Sequence, residues 1–256
     1  MDRFRSKNII VTGAGSGFGA AIATRFADEG ANVLLSDIDQ EAVESVAAGL
    51  DASGIIATSF TNVAEEDQVI AMMEAATSAF GGIDVLVNNA GYSHLNKLTW
   101  KISVEEFDAV FAVNVRGVFL GCKHVIPVMI EQGTGGSIIN IASVGAIAPR
   151  PGVTPYNATK GAVLTMTKGL AAEVARNNIR VNAVNPVASL TGFMKGATGI
   201  ASEDMADDMK QRLVSTIPLG RMAEPVDIAG AVTFLASDDA VFMTGTALNV
   251  DGGRSI

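Results

Sequence analysis

Short apolar runs alternate along the chain with longer segments in which alanine and other helix-forming residues dominate. Seven of these runs are rich in β-branched residues and are predicted to be strands. Their side chains are apolar at consecutive positions, a pattern typical of parallel strands that helices cover on both faces. The predicted strands are Asn8–Thr12, Ala31–Asp37, Ile55–Phe60, Ile83–Asn88, Gly136–Ile141, Ile179–Asn185 and Ala247–Val250.

This alternation predicts an α/β protein with a doubly wound Rossmann fold and a seven-stranded parallel sheet. The 256 residues are near the upper size for one hydrophobic core. No linker rich in Pro or Ser, no charge run and no internal repeat divides them. We therefore expect residues 1–256 to form a single domain.

One segment, residues 187–216, breaks the rhythm of strands and helices. Its glycines are followed by methionine and acidic residues at helical spacing. Long excursions after a strand lie where open α/β sheets bind ligands, so this segment is predicted to be a lid over a substrate site. A surface helical hairpin without a role is the alternative. The glycines are Gly192, Gly196 and Gly199, and the methionines in or beside the segment are Met194, Met205, Met209 and Met222.

Charge and cysteine content narrow the class of protein. The 18 Lys and Arg against 27 Asp and Glu give a formal charge of −9, which disfavours nucleic acid and anionic lipid as partners. The longest stretch without charged residues, Gln132–Pro149, holds several Gly, Ser and Asn, so no membrane-spanning tract is predicted. Cys122 is the only cysteine and no secretory signal opens the chain, so we expect a cytoplasmic protein. Two histidines and one cysteine make no set of metal ligands.

A glycine-rich turn follows the first predicted strand and opens the first helix. Glycines let the backbone adopt positive φ and let a phosphate approach without meeting a Cβ atom, and a helix N-terminus favours negative charge. The spacing Gly-x-x-x-Gly-x-Gly differs from the common Gly-x-Gly-x-x-Gly. The prediction of a phosphate site therefore depends on the position of the glycines between a strand and a helix. The turn is predicted to bind a dinucleotide through Gly13, Gly15, Ser16, Gly17, Phe18 and Gly19.

An acid, Asp37, ends the second predicted strand, 18 residues beyond Gly19. A carboxylate in this position accepts hydrogen bonds from both ribose hydroxyls of an adenosine and repels a 2′-phosphate, so NAD is predicted rather than NADP. The alternative is a helix N-cap at Asp37 or Asp39, and the two roles are compatible.

Tyr156 and Lys160 are four residues apart on a helical stretch predicted to run to Asn177, so they share one helix face. A cation beside the phenol favours the tyrosinate, whose pKa of about 10 otherwise makes it a poor base at neutral pH. Ser143 follows the fifth strand, at the same sheet edge as the glycine turn, where its hydroxyl can hydrogen-bond a substrate oxygen. By spacing alone, such a Tyr–Lys pair is more often a solvated pair than a catalytic one.

The combination of motifs is far more specific than any one of them. Over essentially its whole length the chain resembles the classical short-chain dehydrogenase/reductase family, with the motifs in the family's order and at its intervals. These motifs are the turn Thr12–Gly19, Asn88-Asn89-Ala90-Gly91, Asn114, Ser143, Tyr156-x-x-x-Lys160, Asn185-Pro186 and Asp251-Gly252-Gly253.

The resemblance implies a role for each catalytic candidate. Tyr156 would exchange a proton with the substrate oxygen while hydride moves between the substrate carbon and the nicotinamide. Lys160 would bind the nicotinamide ribose and lower the pKa of Tyr156. Ser143 would polarise the carbonyl, and Asn114 would hold a water that links Lys160 to solvent.

Further cofactor contacts follow from the same resemblance. Asn89, Ala90 and Gly91 would pack beside NAD, and the loop that contains Pro186 would bracket the nicotinamide, with Thr191 at its carboxamide.

Two positions depart from the family pattern. Asn62-Val63 stands where Asp-Val usually reaches the adenine, and an amide oxygen can still accept from the adenine amine. Val187 stands where glycine is usual. Because valine lacks the freedom of glycine, the loop beside the nicotinamide is expected to take a β-compatible path.

Three residues are candidates for contact with the substrate. Ser143 is implied by the resemblance. His94 follows Asn-Ala-Gly-Tyr-Ser and is a candidate for the pocket wall, although a packed or exposed histidine is the simpler interpretation. Arg150 lies between Ser143 and Tyr156, where it would meet an anionic group, with a solvated loop arginine as the alternative. The substrate itself is not specified by these residues.

Together these observations predict an NAD-dependent dehydrogenase that interconverts a secondary alcohol and a ketone. A 3-oxoacyl-thioester reductase is the enzymatic alternative, disfavoured by Asp37 and by the absence of a basic residue at Ser16. A non-catalytic NAD-sensing or scaffold protein is the alternative of another class, which would not need the set formed by Ser143, Tyr156, Lys160 and Asn114. The resemblance also implies a homotetramer.

Overall fold

The computed structural model describes residues 2–191, 197–200 and 204–256. Within them seven strands form one parallel sheet, as predicted, with boundaries within two residues of the predicted ones. The strands are β1 (Asn8–Thr12), β2 (Asn32–Asp37), β3 (Ile56–Phe60), β4 (Val85–Asn88), β5 (Gly136–Ile141), β6 (Ile179–Pro186) and β7 (Ala247–Val250).

Helices cover both faces of this sheet. One face packs on α1 and α8, and the other packs on α3, α5 and α6. The helices of the described residues are α1 (Gly17–Asp28), α2 (Gln40–Ala48), α3 (Glu66–Phe80), α4 (Val104–Phe111), α5 (Gly117–Gln132), α6 (Thr154–Val174), α7 (Asp207–Val214) and α8 (Pro225–Ala236).

The two faces of the sheet explain why the strands are apolar throughout. Val33 and Leu35 of β2 pack in the cluster under α1 and α8, whereas Leu34 between them packs in the cluster under α3, α5 and α6. Successive side chains of a strand point to opposite faces, and here both faces are buried. The doubly wound architecture therefore follows from the hydrophobic pattern.

The strand order is β3-β2-β1-β4-β5-β6-β7, so the chain changes direction across the sheet between β1 and β4. Crossover helices on either side of this point leave a crevice beyond the carboxyl ends of the strands, where open α/β sheets bind ligands. The glycine turn after β1 and the residues after β4 and β5 meet at this edge.

The helical segment from Val104 to Gln132 is not one continuous α-helix. A five-residue π-helical turn, Ala112–Arg116, separates α4 from α5. The helical stretch Val104–Gln132 has 29 residues, and an 18-residue window within it has a mean hydropathy of 1.4, so it is long and apolar enough to span a membrane by these two criteria. This corrects the expectation that the chain has no such tract, and the apolar residues are explained at least in part by the face that packs into the core on Leu86 and Ile138.

The predicted lid is described in part. Residues 192–196 and 201–203, including Gly192, Met194 and Gly196, lie outside the described residues. Of the rest, Met205 is buried and α7 covers the acidic, helical-period stretch of the segment.

Candidate active site

A cleft of about 680 Å³ opens at the carboxyl edge of the sheet, between the glycine turn and α6. The residues after β2, β4, β5 and β6 line it, and α7 contributes Leu213. Most of the predicted site residues therefore lie in one concave space, with Asp37 towards one end and Tyr156 towards the other.

The glycine turn is closed against its neighbours so tightly that side chains would not fit. Gly13 and Gly17 have φ of +65° and +54°. A Cβ atom on Gly19 would lie 2.0 Å from the Gly13 carbonyl oxygen, and one on Gly13 would lie 2.8 Å from the Cα atom of Ala90. The glycines are thus required by the turn itself, and they leave the N-terminus of α1 open to the cleft.

Asp37 is tied to this turn. The Gly15 amide donates to its Oδ2 at 2.8 Å and the Asp39 amide donates to its Oδ1 at 3.1 Å. The N-cap of α2 is Asp39, whose carboxylate accepts from the Ala42 amide at 3.0 Å. Asp37 therefore does not cap the helix, and its carboxylate lines the cleft with acceptor capacity to spare.

Thr12 and Asn89 join the glycine turn to the end of β4. The Thr12 hydroxyl accepts from the amides of Asn89 and Ala90 at 3.0 and 3.1 Å. The Asn89 amide group donates to the carbonyls of Thr12 and Gly13 at 2.8 and 3.1 Å. Asn89 thus fixes the conformation of the glycine turn through hydrogen bonds within the protein, without a contribution from a ligand.

Tyr156 is half-buried on the first turn of α6. Burial raises the pKa of its phenol above the ordinary value of 10.0, while a hydrogen bond with Ser143 and the charge of Arg150 act in the opposite direction. The Ser143 hydroxyl also accepts from the Gly145 amide at 3.0 Å, which fixes its position after β5. The side chains of Ser143 and Tyr156 are therefore hydrogen-bonded partners in the cleft wall.

Lys160 is 3% exposed, and its ammonium group donates to the Ile141 carbonyl at 2.8 Å. Burial lowers its pKa from 10.5 to about 8. Its Nζ lies 5.7 Å from the centre of the Tyr156 ring. The groups that act to lower the pKa of Tyr156 in this structure are Ser143 and Arg150, while Lys160 is bonded to Ile141. That Lys160 lowers this pKa stays a prediction.

Asn114 lies in the π-helical turn and is fully buried. Its side chain accepts from the Tyr92 amide at 2.8 Å and donates to the Tyr92 carbonyl and the Thr159 hydroxyl at 2.9 and 3.0 Å. Thr159 in turn donates to the Tyr156 carbonyl at 2.6 Å. Asn114 thus connects the segment after β4 with the turn of α6 that carries Tyr156 and Lys160. Single π-helical turns occur often at functional sites.

The loop after β6 takes the β-compatible path expected for valine. The Val187 amide donates to the Val250 carbonyl at 3.3 Å, so pairing with β7 continues one residue beyond Pro186. A Cβ atom on Gly17 would lie 3.2 Å from the Cβ of Thr191, which places this threonine over the glycine turn. Across the cleft, the Asn62 side-chain oxygen accepts from the Ala64 amide at 3.1 Å.

The structure brings most of the predicted residues into the cleft wall, but not all of them. Gly15, Gly19 and Asn114 support the wall from behind, through the contacts given above. His94 is 1% exposed, bonds through Nδ1 to the Leu95 carbonyl at 2.7 Å and does not belong to the lining, so the expectation that it contacts the substrate is not met. The predicted residues that line the cleft are Gly13, Ser16, Gly17, Phe18, Asp37, Asn62, Val63, Asn89, Ala90, Gly91, Ser143, Arg150, Tyr156, Lys160, Pro186, Val187 and Thr191.

Sequence reasoning missed two features of the site. The first is Thr12 at the end of β1, whose hydroxyl bonds to the amides of Asn89 and Ala90. A hydroxyl residue directly before a glycine turn is a local signal for such a contact. Arg254 lines the cleft from the C-terminal segment. The signal for it was available, because it follows the last strand at the carboxyl edge where the other site residues lie.

Comparison with known proteins places the chain among oxidoreductases. A family model described as enoyl-(acyl carrier protein) reductase matches residues 13–255. The 4-formylbenzenesulfonate dehydrogenase of Comamonas testosteroni is 44% identical over 96% of this chain and 97% of its own length. Two solved structures are each similar to 98% of the chain. The first is a 3-ketoacyl-(acyl-carrier-protein) reductase from Brucella melitensis complexed with NADH, with a TM-score of 0.91, 43% identity and 99% of that chain covered. The second is a short-chain type dehydrogenase/reductase from Mycobacterium marinum, with a TM-score of 0.89, 33% identity and 96% of that chain covered.

Proposed function

The chain belongs to the classical short-chain dehydrogenase/reductase family, and on this premise we propose that it is an NAD(H)-dependent enzyme that interconverts a secondary alcohol and a ketone. One observation carries the proposal: the Ser143–Tyr156 pair and Lys160 lie in the same cleft as the glycine turn and Asp37. A dinucleotide extended from the turn towards α6 would bring its nicotinamide next to the tyrosine.

The cleft fits NAD by the chemistry of its lining. The turn and the N-terminus of α1 would hold the pyrophosphate, because any side chain on Gly13 or Gly17 would sit at a positive φ and crowd Ala90 or Thr191. Asp37 would accept hydrogen bonds from the adenosine ribose. The neighbouring lining residues Ser16 and Ile38 carry no positive charge to neutralise a 2′-phosphate, which favours NAD over NADP.

The residues of the reacting end would hold and move a proton. When bound, the nicotinamide supplies or accepts the hydride. Tyr156 gives its phenolic proton to the substrate oxygen in reduction and takes it back in oxidation, while Ser143 donates a hydrogen bond to the same oxygen. Lys160, whose ammonium group donates to the Ile141 carbonyl, would bind the nicotinamide ribose.

A 3-oxoacyl-thioester reductase remains the rival within the family, because the Brucella melitensis protein carries that activity in its name and was solved with NADH. A substrate test separates the two functions.

A homotetramer and a cytoplasmic location are part of the proposal. Exposed apolar side chains on α4 and α5, Phe107, Phe119 and Ile130, offer a surface for a second copy, and Phe242 and Ile256 are fully exposed near the end of the chain. Gel filtration with light scattering measures the oligomeric state. A monomer at micromolar concentration would contradict this part of the proposal.

A panel of secondary alcohols, ketones and 3-oxoacyl thioesters, followed by NADH absorbance, tests the function. We expect turnover with at least one alcohol or ketone and NAD(H). Preferred turnover of acyl thioesters would establish the rival. Tight NADH binding without turnover of any member would favour the non-catalytic alternative.

A further inference from the structure

The cleft differs in charge from the rest of the molecule. The chain has 27 acidic and 18 basic residues, yet the charged side chains among the described residues that line the cleft are one acid and three cations: Asp37, Arg150, Lys160 and Arg254. The acid belongs to the adenosine end. The reacting end is therefore cationic in a protein of negative net charge.

Most arginines of the described chain already have a partner. Five form ion pairs with carboxylates, namely Arg3, Arg5, Arg25, Arg212 and Arg221. Arg180 donates to the carbonyls of Leu235 and Ala236. The other four, Arg116, Arg150, Arg176 and Arg254, are in no ion pair among the described residues, and of these Arg150 and Arg254 line the cleft.

Arg150 lies beside the reacting group. Both Arg150 and Tyr156 line the cleft, and the positive charge of Arg150 acts to lower the pKa of the phenol. The Asn157 side chain donates to the Arg150 carbonyl at 2.9 Å, so the backbone of this loop residue is anchored to α6, one position after Tyr156.

Arg254 is held in position by the turn that follows β7. The buried Asp251 carboxylate accepts from the amides of Gly253 and Ser255, both at 3.0 Å. A Cβ atom on Gly252 would lie 2.6 Å from Ile217, itself part of the cleft wall. The segment is packed rather than frayed, which reduces the entropy lost when its side chain binds a ligand.

Asp37 is too distant to neutralise these guanidiniums. It ends β2, which lies three strands from β5 and five from β7. At about 4.8 Å per strand these separations are roughly 14 and 24 Å, beyond the screening length of about 8 Å at physiological salt. An anionic group on the substrate is the natural partner for the two arginines.

We propose that the substrate is an oxo or hydroxy compound that carries an anionic group such as a carboxylate, and that Arg150 and Arg254 select it. This inference rests on the proposed function for the carbonyl chemistry. The charge preference itself requires only that the compound binds in the cleft, so it can be measured without turnover.

The test compares oxo-carboxylates with their primary amides, which match them in size and shape but lack the charge. Three pairs vary the distance from carbonyl to charge: acetoacetate, 4-oxopentanoate and 4-acetylbenzoate, each with its amide. Dissociation constants are measured by titration calorimetry on the NADH complex of Tyr156→Phe, which holds the compounds without converting them. Steady-state kcat/KM is measured on the enzyme with unchanged Tyr156.

We expect at least one carboxylate to bind about tenfold more tightly than its amide, because guanidinium–carboxylate bonds are among the strong hydrogen bonds of proteins. Arg150→Gln and Arg254→Gln should each reduce this ratio, and the double variant should bring it to about one. The matched control is Arg176→Gln, an exposed arginine in the turn before β6, at the opposite edge of the sheet. It should leave the ratio unchanged.

Three outcomes would overturn the proposal. The first is equal binding of carboxylate and amide in all three pairs. The second is a preference that persists in the double variant. The third is a weaker affinity for NADH in the arginine variants with an unchanged carboxylate preference, which would assign the cations to the cofactor phosphates. Absence of turnover with a retained charge preference would instead contradict the proposed function and leave the anion site standing.

Discussion

The adenosine end and the reacting end of the cleft are built in different ways. At the adenosine end, the turn after β1 and Asp37 at the end of β2 belong to one βαβ unit, and the backbone amide of Gly15 joins them by donating to the Asp37 carboxylate. At the reacting end, the side chains come from the segments after β4, β5 and β7 and from α6.

The difference separates two kinds of specificity. Cofactor choice depends on a local structure that a short stretch of sequence encodes. Substrate choice depends on side chains that only the folded sheet brings together. The charged side chains at the reacting end are cations, whereas the one at the adenosine end is the acid Asp37. Variants at one end should therefore leave the properties of the other end intact, and the predictions below test this independence from the largest expected effect to the smallest.

The largest effect is expected for Tyr156→Phe. Removing the phenolic proton should lower kcat by about 10²- to 10⁴-fold, the usual contribution of a general acid or base. The dissociation constant of NADH should change by less than about threefold, because the adenosine end keeps its contacts. Stopped-flow or steady-state absorbance and NADH fluorescence give the two quantities.

Tyr92→Phe is the matched control, since it makes the same chemical change at the other tyrosine of the chain. Tyr92 is held through its backbone by Asn114, so its hydroxyl is not required for that contact. We expect less than about a tenfold loss of kcat. A Tyr156→Phe enzyme that keeps a tenth of its kcat would end the assignment of Tyr156 as the proton donor.

The second effect concerns the acid at the adenosine end. Like charges facing each other in a binding site cost several kcal/mol, and each ~1.4 kcal/mol is tenfold in affinity, so NAD should be preferred over NADP by at least about a hundredfold in kcat/KM. Asp37→Ser combined with Ile38→Arg replaces repulsion by a partner for the 2′-phosphate and should narrow or reverse this ratio.

Asp39→Ser separates the role of Asp37 from a general loss of negative charge. Asp39 caps α2 through the Ala42 amide, a role that serine can also fill. The cofactor ratio should therefore stay as in the unchanged enzyme. Comparable use of NADPH and NADH by the unchanged enzyme would remove the role given to Asp37 and strengthen the acyl-thioester reductase interpretation.

The two ends also differ in how far the sequence alone predicts them. The turn from Gly13 to Gly19 and the acid at Asp37 are recognisable because glycine spacing and a strand end are local signals. The strands were predicted within two residues, since parallel strands buried on both faces leave short, continuous apolar runs.

The parts that were not predicted depend on contacts between distant residues. No local signal marks the π-helical turn at Asn114, because its side chain bonds to the backbone of Tyr92, 22 residues earlier. The bond of Lys160 to the Ile141 carbonyl and the burial of His94 are likewise set by packing. Arg254 is different, because the turn that holds it is local: the Asp251 carboxylate accepts from the amides of Gly253 and Ser255, so its place after the last strand could have been predicted.

The third prediction uses the buried lysine of the reacting end. The pKa of Lys160 is about 8 in the folded protein, against an ordinary value of 10.5 for the unfolded chain. Between pH 8 and pH 10.5 the unfolded state binds more protons than the folded state. The free energy of unfolding therefore rises with pH by up to about 1.4 kcal/mol per pH unit, and this gain is lost as the pH falls through 8. From pH 7 to pH 9 the expected gain is about 1 kcal/mol.

Lys160→Met should abolish this gain while it preserves the length of the side chain. Urea unfolding at pH 7 and pH 9 gives the free energy of unfolding of both proteins, and the difference between them should change by about 1 kcal/mol between the two pH values. Lys168→Met, a change at an exposed position of the same helix, is the control and should show a constant difference. A constant difference for Lys160→Met as well would contradict the burial of a titrating amine.

The smallest effect is expected for Asn62→Asp at the adenosine end. The single side-chain oxygen of Asn62 accepts from the Ala64 amide at 3.1 Å and must also serve the adenine amine if that group binds here. A carboxylate offers a second oxygen, so both donors can be satisfied, and the bond to a charged acceptor is stronger. We expect NADH to bind about two- to fivefold more tightly, a change that fluorescence titration resolves. NADPH carries the same adenine, so the affinity of the variant for NADPH should rise by the same factor. The change at Asp37, by contrast, should affect the two cofactors in opposite directions. An unequal response of the two cofactors, or no response, would show that residue 62 does not contact the adenine.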